Sequence, residues 1–280
     1  MSKGGSSITS PTNPHIKAVV RLSERQERDE RRRTVVEGAR EIGLALGRGV
    51  VPVEAYVCPE LVAGPAAERA ARHLVDMATA GLTELFYVTP PVFAKMAYRG
   101  GSDGLLLVLP YRRRRLDELT FRAAPFLVVV EEAEKPGNLG AILRTADAAG
   151  VDALLVPAAP GQAGTDLHNP NVIRASLGAY FTVPVVVAPA EEILAWLRAR
   201  GIALVATTPA AETLYTAADL SGALAVAMGS EARGLSETWL AAAGVRVRIP
   251  MAGQVDSLNL SAATALLVYE VVRQRGAHSR

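Results

Sequence analysis

Polar side chains crowd the start of the last large apolar segment of this 280-residue chain. Asp256, Ser257, Asn259 and Ser261 lie directly before the run AATALLVY (262–269), which is typical of a buried helix. A helix start has only about four free N–H groups, and a single side-chain cap, from Ser257 or Asn259, accounts for one of these residues. The excess of hydroxyl, amide and carboxylate groups therefore favours a functional role, such as holding a polar ligand.

A second segment carries groups that suit an anion. The loop 131–140 (EEAEKPGNLG) precedes a predicted helix that ends near Gly150, and Arg144 lies about a turn and a half after Asn138. A helix N-terminus that bears an arginine is a natural cradle for a phosphate. The alternatives are an ordinary helix cap for Asn138 and an ordinary surface arginine for Arg144.

A third segment, 229–236 (GSEARGLS), places Glu231 between two glycines, with Ser236 as a candidate helix cap. Glycine allows close approach of a ligand or of another backbone, although a loop carboxylate is often simply solvated. The chain shows neither the glycine fingerprint of dinucleotide-binding folds nor a phosphate-binding P-loop. A nicotinamide-dependent or ATP-dependent enzyme is therefore not supported.

The elements that position these segments are predicted from apolar runs that alternate with helices from residue 125 onward. The runs are 126–130, 153–157, 183–187, 202–207, 223–229 and 245–250. Uninterrupted β-branched runs indicate strands that are covered on both faces, and strand–helix repetition predicts an α/β domain with a doubly wound parallel sheet. Such sheets bind ligands at the carboxyl ends of their strands. The loops after 126–130, 202–207, 223–229 and 245–250 are therefore the candidate site.

The first part of the chain mixes helices with short strands. We predict helices over 22–34 and 35–49, and strands over 53–58, 84–89 and 104–110. The resulting organisation is a flexible tail over 1–14, a small α/β domain over 15–112, a linker over 113–124 and the parallel-sheet domain over 125–280.

Composition limits the class of protein. Half of the residues are hydrophobic and 21% are charged, which is typical of a globular protein. The single Cys58 excludes an intrachain disulfide, and four scattered histidines give no reason to expect a metal site. No apolar run is long enough to span a bilayer, and the N-terminus lacks the apolar region of a secretory signal. We therefore expect a cytoplasmic protein without metal.

The basic residues are unevenly distributed. The net charge is +2, but residues 1–120 carry +4 and the remainder −2, with arginine runs at 31–33 and 112–115. Clustered arginine suggests an anionic partner such as RNA. The alternative is a solvated helix face, particularly for the first run, where acidic residues alternate with basic ones.

Three motifs resemble a known family. In chain order, 138–146 (NLGAILRTA), 228–235 (MGSEARGL) and 249–261 (IPMAGQVDSLNLS) resemble the three motifs of the SpoU/TrmH family within the SPOUT superfamily. Its members are S-adenosylmethionine-dependent RNA ribose 2′-O-methyltransferases. The resemblance covers about residues 125–275, and the segment 35–38 (VVEG) with the strand around Tyr56 is similar to the ribosomal-protein-L30e-like substrate-binding domain of many members.

The resemblance implies a deep trefoil knot in the C-terminal domain and a homodimer formed through it. The apolar surface of 261–272 (SAATALLVYEVV) is larger than one helix face needs, which agrees with a dimer, although a fully buried helix would show the same pattern. RNA would lie across both subunits, flanked by the basic N-terminal domains.

The resemblance also implies roles for individual residues. The donor pocket would use Thr207, Gly229, Ile249, Met251, Leu258 and Leu260. In catalysis, Asn138, Ser257 and Asn259 would position the ribose and the loops, and Glu231 would order the site. Because a guanidinium is almost always protonated, we expect Arg144 to fix a phosphate and stabilise the developing alkoxide, although a general-base role is also argued for the family. Candidate RNA contacts are Arg31, Arg32, Arg112, Arg113 and Arg174.

The implied function is methyl transfer to a ribose 2′-OH of structured RNA, with 23S rRNA favoured as the substrate. The same activity on tRNA and a catalytically silent RNA-binding homologue are the alternatives. A housekeeping role and an antibiotic-resistance role both remain open at this point, and Asp256 has no assigned role.

Overall fold

The computed structural model describes residues 5–98, 103–121, 123–133, 135–158, 165–230 and 232–277. The chain divides into two units. The N-terminal unit comprises Met1–Arg112 and His168–Thr182, and the C-terminal unit comprises Arg113–Leu167 and Val183–Arg280. Among the described residues, we find no helix with the length and apolar character that a membrane crossing requires.

The N-terminal unit is a mixed sheet with helices. Its elements are β1 (Ser6–Ile8), α1 (Pro14–Arg21), α2 (Arg25–Arg31), β2 (Arg33–Glu37), α3 (Ala39–Gly47), β3 (Glu54–Val57), α4 (Pro65–Thr79), β4 (Glu84–Val88), α5 (Pro90–Met96) and β5 (Leu105–Pro110). Within the described residues the strand order is β1-β4-β3-β5-β2, and β5 runs antiparallel to both of its neighbours. Ile16, Tyr56 and Phe93 are buried in the core on one side of this sheet.

Three predictions for this unit are wrong in part. The helix predicted over 22–34 spans only Arg25–Arg31, since Arg33 and Thr34 belong to β2. Ser6–Ile8 is a strand that pairs with β4 and buries Ile8, so these residues are not a flexible tail. The helix predicted over 35–49 begins only at Ala39, because Val35 and its neighbours pair with β5 as a strand. Gly38, at a φ of 105°, makes the turn between strand and helix.

The C-terminal unit is built around a parallel sheet. Its elements begin with a 3₁₀ helix (Leu116–Glu118), β6 (Phe126–Val130), α6 (Pro136–Ala149) and β7 (Ala153–Pro157). The chain then forms α7 (Pro170–Ala175) and α8 (Ala179–Thr182), which belong to the N-terminal unit. The C-terminal unit continues with β8 (Val185–Ala188), α9 (Ala190–Ala199), β9 (Ala203–Thr207), β10 (Thr213–Leu214), β11 (Leu224–Met228), α10 (Glu237–Ala242), β12 (Val245–Arg248) and α11 (Leu260–Ala277).

The strand order explains why distant loops meet. Across the described residues the order is β10-β12-β9-β11-β6-β7-β8, and every pairing is parallel. All residues of β6 and β11 are buried, as expected for strands covered on both faces. This confirms the predicted α/β class with a parallel C-terminal sheet. The four strands whose following loops form the candidate site are adjacent, so those loops share one edge. The trefoil knot stays a prediction, since strand order alone does not define how the chain is threaded.

The segment His168–Thr182 is attached to the N-terminal unit by specific contacts. The Thr34 hydroxyl donates a hydrogen bond to the His168 carbonyl oxygen at 2.6 Å. The His168 ring stacks on Tyr111 with a centroid separation of 3.6 Å. The connection between β7 and β8 of the C-terminal sheet therefore contributes two helices to the N-terminal unit.

Residues 113–124, interpreted from sequence as a linker, also carry core side chains. Leu116 and Leu119 are buried in the core of the C-terminal unit, and Phe121 packs against it. This segment is therefore part of the C-terminal unit over its apolar positions.

Packing and hydrogen bonds hold helix α11 in place. Its buried face includes Leu267, Val268 and Val271, and the helix packs against α6. Near its end, the guanidinium of Arg275 donates hydrogen bonds to three backbone carbonyls, those of Ala124, Pro125 and Gly222, at 2.6–3.1 Å. The start of α11, which carries the polar cluster, is thus held by the packing of the helix behind it.

Candidate active site

A cavity of about 180 Å³ lies at the carboxyl ends of β9, β11 and β12, beside the start of α11. The six residues predicted to bind the methyl donor all line it: Thr207, Gly229, Ile249, Met251, Leu258 and Leu260. The remaining described lining residues are Thr208, Pro209, Met228, Ser230, Gly234, Asp256, Ser257 and Ala263. The structure therefore brings together residues that span more than fifty positions of the sequence.

The lining is mostly apolar with a few polar groups, which is usual for a small-molecule site. Met228, Ile249 and Met251 supply apolar surface, and the Thr207 hydroxyl lies 3.3 Å from the Met228 sulfur. The sequence interpretation did not assign Thr208 and Pro209. Both follow directly after a predicted strand, so their place at the carboxyl end of β9 was a usable signal.

Ser230 and Gly234 close a tight backbone turn in the cavity wall. Ser230 and Gly234 exchange backbone hydrogen bonds at 3.1 and 2.9 Å, and Gly234 has a φ of 67°. A Cβ atom on Gly229 would lie 2.0 Å from the carbonyl carbon of Gly234 and 2.1 Å from the nitrogen of Leu235. Only glycine at position 229 permits this approach of the two backbone segments.

Two carboxylates that follow β6 contact this turn or the residue just after it. Glu131 accepts two hydrogen bonds from Ser236, one from the backbone N–H and one from the hydroxyl, each at 2.8 Å. Ser236 occupies the predicted cap position of α10, but its hydroxyl bonds to Glu131 instead of capping the helix. Glu132 pairs with Arg233 at 2.5 Å. The sequence interpretation missed both roles, because the partners lie about one hundred residues apart.

Replacing Glu131 by glutamine is expected to weaken binding of the methyl donor about three- to tenfold. The change removes a negative charge and one of two acceptor oxygens, so one Ser236 donor loses its charged partner. Calorimetric titration with S-adenosylmethionine measures the effect. Glu132→Gln is the matched control, because an exposed ion pair contributes little. Equal affinities of Glu131→Gln and the control would contradict this role.

Asn259 connects the start of α11 to α6. Its side-chain oxygen accepts hydrogen bonds from the Ser261 backbone N–H at 3.0 Å and from the Ser261 hydroxyl at 2.6 Å, which makes Asn259 the helix cap. Its amide group donates to the side-chain oxygen of Asn138 at 3.0 Å. Asn138 is not a cap, since Pro136 begins α6 and Lys135 holds the cap position. The amide–amide contact thus joins the first and third motifs.

Two predicted catalytic side chains are open to a substrate. Arg144 is exposed on α6, and Ser257 is exposed in the loop before α11. Neither makes a hydrogen bond or an ion pair with any other described residue. Glu231, the remaining predicted catalytic residue, lies outside the described residues.

Most predicted RNA contacts have partners or backbone roles of their own. Arg31 pairs with Glu27 at 2.9 Å, as the solvated-face alternative expects. Arg32 is exposed with a φ of 54° at the end of α2. Arg112 donates to the Phe181 carbonyl oxygen at 3.2 Å. Arg113 is exposed in the C-terminal unit.

Arg174 remains available in the N-terminal unit. It lies in α7, where Asn169 caps the helix and Pro170 is its first residue, as the sequence predicts. Its side chain is exposed and makes no hydrogen bond or ion pair within the described part of the chain. It also lines a small cavity of about 10 Å³ beside Glu37 and Tyr98.

Comparison with known families covers both halves of the chain. The model of the SpoU rRNA Methylase family matches residues 125–269. The model of the MRM3-like substrate binding domain matches residues 13–107. The first match contains all three motifs and every described residue that lines the cavity.

Individual relatives agree with the family models. A 23S rRNA (guanosine-2′-O-)-methyltransferase, RlmB of Shewanella oneidensis, is 40% identical over 162 residues, which is 57% of this chain. The matched part spans 64% of that relative's length, which is less than two thirds.

Solved structures match over nearly the whole chain. A crystal structure described as an RNA 2′-O ribose methyltransferase has a TM-score of 0.79 and 42% identity, and covers 96% of this chain and 99% of its own. The AdoMet-bound rRNA methyltransferase of Sinorhizobium meliloti has a TM-score of 0.85 and 30% identity, and covers 96% and 97%. These likenesses, together with the family match over half of the sequence, confirm the resemblance read from the three motifs, and the chain belongs to the SpoU rRNA methylase family.

Proposed function

We propose that this protein transfers a methyl group from S-adenosylmethionine to a ribose 2′-OH of RNA. The observation that carries the proposal is that residues of the second and third motifs line the same cavity. The first motif is joined to the third by the hydrogen bond between Asn138 and Asn259. Two solved relatives in this size range are described as an RNA 2′-O ribose methyltransferase and as an AdoMet-bound rRNA methyltransferase.

The lining residues fit the methyl donor. Apolar Ile249, Met251 and Leu258 suit the faces of an adenine ring, and the absence of a Cβ at Gly229 lets the backbone of Gly234 and Leu235 pack against this wall. Thr207 and Ser257 offer hydroxyl groups for the polar parts of the ligand. When bound, S-adenosylmethionine supplies a methyl carbon that is already activated by a positively charged sulfur.

The residues of the chain then have to position the ribose and stabilise the negative charge that develops on its 2′ oxygen. Arg144 is exposed and unpaired among the described residues, so its guanidinium is available to a phosphate and to the oxygen that becomes negative as its proton leaves. A guanidinium stays protonated at neutral pH, which favours this electrostatic role over that of a general base. The Asn138–Asn259 contact keeps α6 and α11 in register around the site.

For the RNA substrate, we propose 23S rRNA. The 40% identical relative is named for methylation of guanosine in 23S rRNA, and the N-terminal unit matches a substrate-binding domain. A ribosomal substrate would place the protein in the cytoplasm. Candidate contacts in the N-terminal unit are Arg32 and Arg174, whose side chains are exposed.

Mapping of 2′-O-methyl groups in total RNA from cells with and without the gene tests this proposal. The expected result is one ribose position in 23S rRNA that loses its methyl group in the deletion strain. A lost position in tRNA would overturn the rRNA assignment but retain the activity. No lost position, together with no binding of S-adenosylmethionine in a calorimetric titration, would favour a silent RNA-binding homologue. Binding of NAD in the same titration would contradict the proposed function.

We also propose a homodimer formed through α11. Ala262, Leu266 and Tyr269 are exposed at i, i+4 and i+7, so they form one continuous stripe along the helix. Leu266 and Tyr269 are 40% and 49% exposed, which is high for large apolar side chains on a helix whose other face is in the core. A second copy of the chain would cover this stripe.

Replacing Leu266 by glutamate is expected to convert the dimer into a monomer, because a charge in an apolar interface loses its hydration without a partner. Light scattering coupled to size-exclusion chromatography measures the mass. Leu82→Glu is the control, since Leu82 is 56% exposed after α4 and is not part of the stripe. A dimer that survives Leu266→Glu, or a monomeric wild type, would contradict the proposed interface.

A further inference from the structure

Asp256 is the only carboxylate among the described residues that line the donor cavity. The other thirteen described lining residues are uncharged at neutral pH. The motif resemblance gives Asp256 no role, and side-chain capping at this helix start is supplied by Asn259. Among the described lining residues, the negative charge of Asp256 is therefore explained neither by the motifs nor by helix capping.

No residue in the described part of the chain neutralises the charge of Asp256. Its side chain makes no hydrogen bond or ion pair with any residue that the structure describes. It is also exposed, so water and salt weaken its field without cancelling it. An unpaired carboxylate in a mostly apolar cavity attracts a cationic ligand more than it attracts a neutral ligand of the same shape.

We propose that Asp256 makes the pocket selective for the cationic methyl donor over the neutral product, S-adenosylhomocysteine. This inference rests on the proposed methyl transfer. In that reaction the ribose oxygen bonds to the methyl carbon, the carbon–sulfur bond breaks with its electron pair on sulfur, and the hydroxyl proton is released. The sulfur thus changes from a cation to a neutral thioether, while the adenosine and amino-acid parts stay the same.

This selectivity has a kinetic consequence. A carboxylate that favours the positive sulfur stabilises the bound donor more than the bound product, so fresh donor competes more effectively with the product for the pocket. The same attraction does not accelerate the chemical step, because the positive charge on sulfur decreases in the transition state. Asp256 is therefore a specificity-determining residue for the ligand, and Arg144 remains the group aimed at the reacting oxygen.

Calorimetric titration of wild type and Asp256→Asn with three ligands tests the proposal. The ligands are S-adenosylmethionine, S-adenosylhomocysteine, and sinefungin, in which an amine-bearing carbon replaces the sulfonium and carries a positive charge. Asparagine keeps the size of the side chain and removes its charge. The expected result is a loss of about three- to tenfold in affinity for the two cationic ligands and less than about twofold for the neutral one.

Two further measurements sharpen the test. Raising the salt concentration is expected to reduce the wild-type preference for donor over product and to leave the preference of Asp256→Asn nearly unchanged. Glu192→Gln is the matched control, because Glu192 is an exposed carboxylate in the same unit at the start of α9 and does not line the cavity. This control should bind all three ligands like wild type.

Each other outcome overturns the inference. An equal loss for all three ligands would show that Asp256 binds the shared adenosine or amino-acid part. Unchanged affinities would show that its charge does not reach the ligand. If wild type binds none of the three, the proposed function itself fails, which is distinguishable from a failure that concerns Asp256 alone.

Discussion

The variant Arg144→Ala is expected to methylate RNA at least about 100-fold more slowly at saturating substrates, with donor affinity within about twofold of wild type. The side chain is exposed and has no partner among the described residues, so its removal disturbs neither packing nor a hydrogen bond of the protein. What the variant loses is a cation at the reacting oxygen. Single-turnover methylation assays and calorimetric titration with S-adenosylmethionine measure the two quantities separately.

Two further variants test whether the effect is specific to the position and to the guanidinium group of Arg144. Arg198→Ala removes another exposed arginine from the same unit, on α9, whose side chain has no partner among the described residues, and should leave the methylation rate unchanged. Arg144→Lys keeps a positive charge but loses the planar pair of donors that grips a phosphate, so it should recover less than about one tenth of the rate. A fully active lysine variant would contradict the bidentate role, and an active alanine variant would remove Arg144 from catalysis.

The variant Gly229→Ala is expected to lose about 100-fold in affinity for the methyl donor. The added methyl group would lie 2.0 Å from the Gly234 carbonyl carbon and 2.1 Å from the Leu235 nitrogen, far inside contact distance. Since these are backbone atoms, relief requires a shift of the turn that forms the pocket wall. A misplacement of about 1 Å in a binding site is enough for an effect of this size.

The turn could also fail to form, so the fold has to be followed along with binding. Gly244→Ala is the matched control, because a Cβ at Gly244 meets nothing within 4 Å. Circular dichroism and thermal melting should show both variants folded, with only Gly229→Ala impaired in the titration with S-adenosylmethionine. Donor binding by Gly229→Ala at wild-type strength would mean that this glycine does not shape the pocket.

These two variants separate the functions of the first and second motifs. In the proposed mechanism Arg144 acts on the reacting oxygen, so its loss is expected to appear in the rate. Gly229 shapes the wall of the cavity, so its loss appears in donor affinity. If both variants changed only the rate, or only the donor affinity, this division of roles between Arg144 and Gly229 would be wrong.

Much of the C-terminal unit could be predicted from local sequence. The run FLVVV became β6, and LAVAM within 223–229 became β11, because uninterrupted β-branched and apolar residues are stable only in strands covered on both faces. The carboxyl ends of parallel strands meet at one edge, so the loops that carry Thr207, Gly229 and Ile249 were expected to converge.

Two strands of the N-terminal unit could not be predicted from local sequence patterns. Val35 and Val36 were assigned to a helix because they precede a helical pattern, but their β-branched side chains and pairing with β5 place them in a strand. Ser6–Ile8 has too few apolar residues to signal a strand, and it forms one because β4 offers a free edge. Strand formation depends on a partner, and a partner is not visible in a three-residue stretch.

The sequence by itself determined the strands of the C-terminal sheet and indicated that the loops after them would meet at one edge, because side-chain periodicity and backbone preference are local properties. Only the tertiary structure decided which groups touch. Asn259 donates to Asn138 across 121 positions, and Glu131 holds Ser236 across 105. It also decided that Asp256 lines the donor cavity and has no side-chain partner among the residues that the structure describes. Such contacts depend on strand order and helix packing, and these are set by the burial of the whole core and not by any one segment.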